Sequence, residues 1–355
     1  MTTRIGLILE PLDVLFFRDG RPFEAGIRVG GRTIIPQTLA GAVRTALLER
    51  AGCDFRALGG AVQRGSSFAA ALADQSAELS TIADISLRGP WFYRKDAPLI
   101  PVPADLVRAE DRSCARLTPL KGQLPGWSPD EPGLLPLWIK SHARYDRASG
   151  YMNLAGLARY LAGDLPRPDE IVGFDTLAAG DSRVGIVIRS DSMTTERSLI
   201  YAADYLALAP GVSLYAEIAG PAAALDRAFT GETAIPLGGQ GRYVRVRRRT
   251  RPIDWPMAPR SGEGRLLLLT APAPFPAGWR PEGLDLAAAA VPGHVAVSGW
   301  DLARRAPKRT RFAAAAGAVY FCRGFPETGS RTSLCDGEDA ALGWGSFLEG
   351  IWRYV

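Results

Sequence analysis

Six arginines and no acid fall within the ten residues RYVRVRRRTR (242–251), and a second basic cluster, RRAPKRTR, covers 304–311. Directly before the first cluster stands LGGQG, in which Gly238, Gly239, Gln240 and Gly241 lead into Arg242. A guanidinium offers five donors in a planar fork that matches phosphate oxygens. Glycines without Cβ let a backbone approach a ribose-phosphate chain, and successive N–H groups can then face its oxygens. Arg242, Arg245, Arg247, Arg248 and Arg249 follow at once, so donors and positive charge share one stretch. The glycine run also suits a tight hairpin turn, and both readings stand.

The formal net charge of +5 conceals a segregation. From Arg242 to Arg311 there are 14 basic and 5 acidic residues, a local +9, against 28 basic and 32 acidic elsewhere, a local −4. A basic patch on a slightly acidic body is the electrostatic footprint of a phosphate-backbone binder. The excess of 38 Arg over 4 Lys is what a GC-rich genome would impose on any protein, so the weight rests on clustering. In Tyr243-Val244-Arg245-Val246-Arg247 apolar and basic residues alternate, which on a strand puts Arg on one face and Val on the other. A solvated edge strand would alternate in the same way.

Other chemistry is sparse. No lysine follows a glycine, which closes the P-loop reading, and Gly239-x-Gly241 lacks the third glycine of a dinucleotide fingerprint. The only histidines, His142 and His294, stand 152 positions apart. Cys53, Cys114, Cys322 and Cys335 form no C-x-x-C pair, so neither a zinc site nor a disulfide framework is expected, and no cofactor motif appears. Such poverty of catalytic groups favours a binding protein.

The elements that must position the arginines fit a chain of about two domains. Apolar residues make up 47% and charged residues 22% of the 355, as in ordinary globular proteins. The longest apolar stretch, 312–322, is too short to span a membrane, and the N-terminus lacks a secretory pattern, so a cytoplasmic location without membrane contact is expected. Ile5, Leu7 and Leu9 alternate as a first strand. The segment TIIPQTLAGAVRTALLERAG reads as a helix with Thr38 as N-cap and Gly52 as stop. Helices are also expected over 66–80, 153–162 and 221–229, and strands over 85–93, 98–103, 184–189, 197–208, 212–220, 266–270, 294–301 and 318–322. A polar, Pro-bearing break at 163–169 marks the preferred boundary between an N-terminal domain, 1–165, and a C-terminal one, 166–355. The first carries a Pro/Gly-rich insertion around 105–150; the second carries the Gly-rich loop and the basic segment 242–311. The pattern is α+β, two sandwiches with antiparallel sheets.

Several segments occur in a specific order: LEPLDVLFFRDGRPF (9–23), IPQTLAGAVRTALL (35–48), RVGIVIR (183–189) with the later SLIYAADYL (198–206), IPLGGQGRYVRV (235–246), GWD (299–301), AAGAVYF (315–321) and GWGSFLEGIW (343–352). Together they resemble the third subunit of type III-B CRISPR (Cmr) effector complexes, a Cas-five-like branch of the RAMP superfamily. The resemblance implies two ferredoxin-like (RRM-type) domains and a non-catalytic, RNA-binding role in antiviral defence. It implies that such a chain holds the 5′ handle of the crRNA. Its implied partners are the large polymerase-like Cmr subunit, the Cas-seven-like backbone subunit and other Cmr subunits. By motif, the RNA-binding residues it implies are Gly238, Gly239, Gln240, Gly241 and Arg242, with Arg18 and Arg21 in the first segment and Thr38, Gly41 and Arg44 at the first helix. Arg245, Arg247 and Arg249 join them on charge alone. Arg44, in the first half of a helix, adds to the positive end of its dipole. Gln37-Thr38 departs from the Ser-Ser frequent in the family and keeps one hydroxyl. Relatives in the superfamily cut repeat RNA without metal, and an endoribonuclease built from His142 or His294 with Tyr243 and Arg242 is the alternative.

Overall fold

Strands form where β-branched and aromatic residues alternate, and in the computed structural model of the chain they assemble into several antiparallel sheets flanked by few helices. The structure describes residues 2–17, 28–29, 34–122, 124–129, 131–188, 195–249, 251–259, 261–301, 306–329 and 331–354. Two units emerge, each drawn from three stretches: Met1–Pro90, Leu177–Pro252 and Ala296–Arg311 in the first, Trp91–Thr176, Ile253–Val295 and Phe312–Val355 in the second. Residues 163–169 lie inside the second unit.

In the first unit the strand Thr2–Pro11 is central. It pairs antiparallel with Ser213–Pro221 on one side (Ile5↔Ile218, Leu9↔Leu214) and with Tyr243–Arg249 on the other (Leu9↔Val246). The strand beginning at Ser86 lies beyond Ser213–Pro221, and Thr233–Pro236 closes the opposite edge. Helices Pro36–Arg50 and Ala222–Phe229 follow the first and third of these strands in sequence and pack against each other. They cover the face bearing Leu7, Leu9, Ala216 and Val246: Leu225 of the second helix lies 3.9 Å from where a Cβ of Gly220 would stand. The other face carries Gly6, Ile8 and Glu10 beside Tyr215, Glu217, Arg245 and Arg247. Tyr215 lies across Gly6, where a Cβ would meet its ring at 2.8 Å. Buried Arg88 donates to Glu217 at 3.3 Å, so the charge of each is compensated.

The second unit centres on Gly264–Leu269, every residue of which is buried. Phe347–Trp352 pairs along one edge and Val319–Cys322 along the other, with Leu286–Ala290 outermost. Trp344, Trp352, Tyr320 and Phe321 fill this core. The helix Leu154–Leu161, capped by Asn153 through the Gly156 N–H at 2.9 Å, lies against Gly350, whose absent Cβ leaves room for Leu161. The insertion is built on the short strands Leu106–Ala109, Cys114–Arg116 and Tyr145–Arg147. It is anchored by Asp105, fully buried, which accepts from the Tyr160 hydroxyl at 2.8 Å and from Arg116 Nε at 2.9 Å. Arg116 also lies on the Tyr160 ring at 4.0 Å. Burial pushes the Asp105 carboxyl and the Tyr160 phenol up.

Two helix boundaries differ from expectation. The first helix starts at Pro36 with Ile35 at the N-cap, so Thr38 sits inside the first turn and caps nothing. Proline at the first position brings a preset φ and loses no hydrogen bond. The stretch 66–80 breaks into Phe68–Ala73 and Ala77–Ala83 because Ser67 and Ser76 each cap a new helix, their hydroxyls accepting from Ala70 and Leu79 at 3.1 Å.

Candidate nucleic-acid interface

Residues 237–242 link Thr233–Pro236 to Tyr243–Arg249 as a hairpin loop, closed by the Leu237 N–H donating to the Arg242 carbonyl at 2.9 Å. Gly238, Gln240 and Gly241 have φ of +83°, +59° and +62°, a region glycine enters freely. The Gly239 N–H donates to the Phe16 carbonyl at 2.9 Å, and a Cβ on Gly238 would lie 2.4 Å from that oxygen. A Cβ on Gly239 would lie 2.9 Å from the Phe16 ring, whereas Gly241 faces open space. The first two glycines therefore seat the loop on the segment Asp13–Phe17. Of the successive N–H groups expected to face a ligand, that of Gly239 faces Phe16 instead.

The same segment is stitched to the strand Thr195–Leu208 by reciprocal backbone bonds of 2.8 Å between Leu15 and Leu206. Phe16 packs on Tyr205, ring centroids 5.2 Å apart. Arg242 lies over the Tyr205 ring at 4.8 Å and pairs with Asp13; Arg183 lies on the same ring at 4.9 Å and pairs with Asp181 at 2.7 Å. Asp181 holds the Arg183 guanidinium above its ordinary range.

Along Tyr243–Arg249 the expected alternation is present: Val244 and Val246 are buried, while Tyr243, Arg245 and Arg247 are exposed on the opposite face. The strand is interior, paired on both sides, which removes the edge-strand reading. Its arginines meet carboxylates from distant segments. Arg247 donates to Glu10 through Nε at 3.2 Å, Arg245 stands 3.8 Å from Glu232, and Arg248, turned toward the helix side, pairs with Asp226. Arg249 donates to the Arg251 carbonyl at 2.6 Å.

The helix residues have contacts of their own. Gly41 is exposed and Thr38 half-buried; Arg44 is half-buried with its guanidinium 5.8 Å from the Phe68 ring. Beside Thr38, Gln37 donates to the Ser298 carbonyl at 2.6 Å, which brings the helix start to the Gly299-Trp300-Asp301 motif. Arg18 and Arg21 lie outside the described residues, as do Arg304 and Arg305 of the second basic cluster. His142 and His294 are exposed, His294 resting edge-on against Phe312 at 5.3 Å. Among the described residues no cluster of His, Cys, Asp or Glu could hold a metal ion, and no helix is long and apolar enough to cross a membrane.

Sequence reasoning missed Arg183, Tyr205 and the carboxylates. The long pairing of Ala178–Ile188 with Thr195–Leu208 sets Asp181 opposite Tyr205 and Arg183 opposite Ala203, a register that strand alternation alone does not supply. Glu10 and Asp13 stand more than 225 positions before their arginines and carry no local signal of pairing.

Motifs distant in sequence thus meet in pairs, the first segment with the Gly-rich loop and the first helix with GWD. The family model for CRISPR-associated protein (Cas_Cmr3) matches residues 7–352. The chain belongs to this family. Two solved structures share its fold at low sequence identity. A chain of "Cryo-EM structure of the Type III-B Cmr-beta bound to cognate target RNA and AMPPnP, state 1" is 15% identical with a TM-score of 0.53, over 89% of this chain and 86% of that one. A chain of the related complex bound to cognate target RNA gives the same identity and TM-score over 90% and 86%. No curated protein matches in sequence.

Proposed function

We propose that the chain is a non-catalytic, RNA-binding subunit of a type III CRISPR effector complex, holding the 5′ handle of the crRNA on the arginine face of its first unit. The observation that carries this is the sheet face opposite the helices, where exposed Tyr243, Arg245 and Arg247 stand beside a Gly-rich loop leading into Arg242. In the first unit the strand beginning at Ser86, then Ser213–Pro221, Thr2–Pro11 and Tyr243–Arg249 lie side by side, with helices after Thr2–Pro11 and Ser213–Pro221. This order supports reading a split βαββαβ, ferredoxin-like topology to which Thr233–Pro236 adds a strand. The second unit repeats that order with Leu286–Ala290, Val319–Cys322, Gly264–Leu269 and Phe347–Trp352, so we read it as a second ferredoxin-like fold reduced in its helices. On RRM-type sheets bases stack on exposed aromatics of the open face, a role open to Tyr243, while arginines meet phosphates. Arg18, Arg21, Thr38, Gly41 and Arg44 belong to the same proposal through the family motif. Membership in the Cas_Cmr3 family supports partners within the Cmr assembly, a large polymerase-like subunit and a Cas-seven-like backbone subunit among them.

The test is the affinity of the full chain for single-stranded RNA bearing the repeat-derived handle, measured across salt. Five backbone contacts give a slope of log affinity against log salt of about −3.5, at about −0.7 per phosphate. Replacing Arg245 and Arg247 together by Ala lowers affinity and flattens that slope by about 1.4. The RNA is recovered uncut in EDTA. Affinity indifferent to salt, or a cut with a 2′,3′-cyclic phosphate end, overturns the reading.

A further inference from the structure

The five arginines of residues 242–249 have four carboxylates around them: Asp13 on Arg242, Glu232 near Arg245, Glu10 on Arg247 and Asp226 on Arg248. Four of these five arginines are therefore answered by acids from elsewhere in the chain. Glu10 lies directly opposite Arg245 in the sheet, on the same exposed face, and reaches Arg247 through two nitrogens. Its backbone is held by pairing with Arg245, which places the carboxylate on that face. Asp13 and Glu232 are more exposed, at 55% and 65%; Asp13 pairs with Arg242 and also faces the charge of Arg183, and Glu232 stands near Arg245. These side chains are free to swing into water without disturbing the sheet. A phosphate and a carboxylate ask for the same fork of guanidinium donors.

We propose that Glu10, Asp13 and Glu232 are built-in competitors of RNA phosphates, occupying the arginine forks until a backbone displaces them and so lowering the affinity of the face for single-stranded RNA. This rests on the reading of that face as the RNA site and adds how the site is regulated. An exposed pair contributes about 0.2–1 kcal/mol, or about 1.4- to 5-fold per arginine when it must be broken.

The experiment compares the full-length wild type with Glu10→Gln/Asp13→Asn, with Glu232→Gln and with Arg245→Ala/Arg247→Ala. A handle-bearing RNA and an unrelated single-stranded RNA of equal length serve as probes, at low and high salt. The double carboxylate variant is expected to bind both RNAs about 2- to 25-fold tighter at low salt, and Glu232→Gln about 1.4- to 5-fold tighter. Both should melt within a few degrees of wild type, since the residues are exposed. If the arginine variant loses RNA while the carboxylate variants bind as wild type or more weakly, the competition is wrong and the RNA face stands. If the arginine variant binds as wild type, the RNA face itself is wrong and the competition falls with it.

Discussion

Gly238→Ala separates the two roles open to the glycine loop. At φ +83° an alanine costs about 1–2 kcal/mol in the left-handed region. Its Cβ would stand 2.4 Å from the Phe16 carbonyl oxygen, so the loop must lift and the Gly239 N–H loses its 2.9 Å bond, about 0.5–1.5 kcal/mol more. The expected loss is about 1.5–3.5 kcal/mol, a fall in Tm of about 3–14 °C for a unit of this size. Gly241→Ala is the internal control. It shares the left-handed backbone, φ +62°, but its Cβ meets nothing, so only the first cost of about 1–2 kcal/mol applies. Thermal melts of both variants and amide hydrogen exchange at Gly239 provide the assay. Exchange at Gly239 should quicken in the Gly238 variant and stay unchanged in the Gly241 variant. Equal melting temperatures together with equal Gly239 protection would refute the idea that the loop is seated on Phe16. RNA loss in the Gly238 variant would not by itself demonstrate a contact, because the seating also holds Arg242 near Asp13 and Tyr205.

Three further predictions concern buried groups and the thiols. Asp105→Ala leaves the Arg116 guanidinium buried without its partner and should cost about 3–5 kcal/mol in urea unfolding, whereas Tyr160→Phe removes one bond to the carboxylate and should cost about 1.5–3 kcal/mol. At pH 8 the native chain should expose Cys53 and Cys114 to a thiol reagent and withhold buried Cys322 and Cys335, with all four reacting in urea. Burial, with Asp285 and Glu349 nearby, pushes the Cys322 thiol up to about 12, above its unfolded value of about 8.5. The raised value stabilises the native state below pH ~8.5, and that contribution disappears as pH rises toward about 12. Melting temperature should therefore fall over this window, less steeply in Cys322→Ala.

Local pattern was enough for the first strand, the Val/Arg alternation of 243–247 and most helix positions, because each is set by residues within a few positions of one another. Thr38 fails as a cap because Pro36 presets the helix one turn earlier, and 66–80 divides because Ser76 can cap as well as continue. The split into units escaped a linear reading for another reason. Residues 91–176 fall in the other unit before the chain returns to set Ser213–Pro221 beside Thr2–Pro11, a pairing of strands more than 200 positions apart. The Pro-rich break at 163–169 marks only the end of a helix, Leu154–Leu161, inside the other unit.

The charge count shows where sequence proximity and spatial proximity part. Summed along the chain, the arginines of 242–249 look like an unopposed field; summed in space, the carboxylates of residues 10, 13, 226 and 232 oppose most of it. With a Debye length of about 8 Å at physiological salt, only charges this close determine what an approaching polyanion meets. Such a face meets RNA through its dense array of donors more than through an unopposed field of its arginine strand. A subunit positioned in an assembly would gain from that combination, since its neighbours, and not its own field, would then choose the strand it holds.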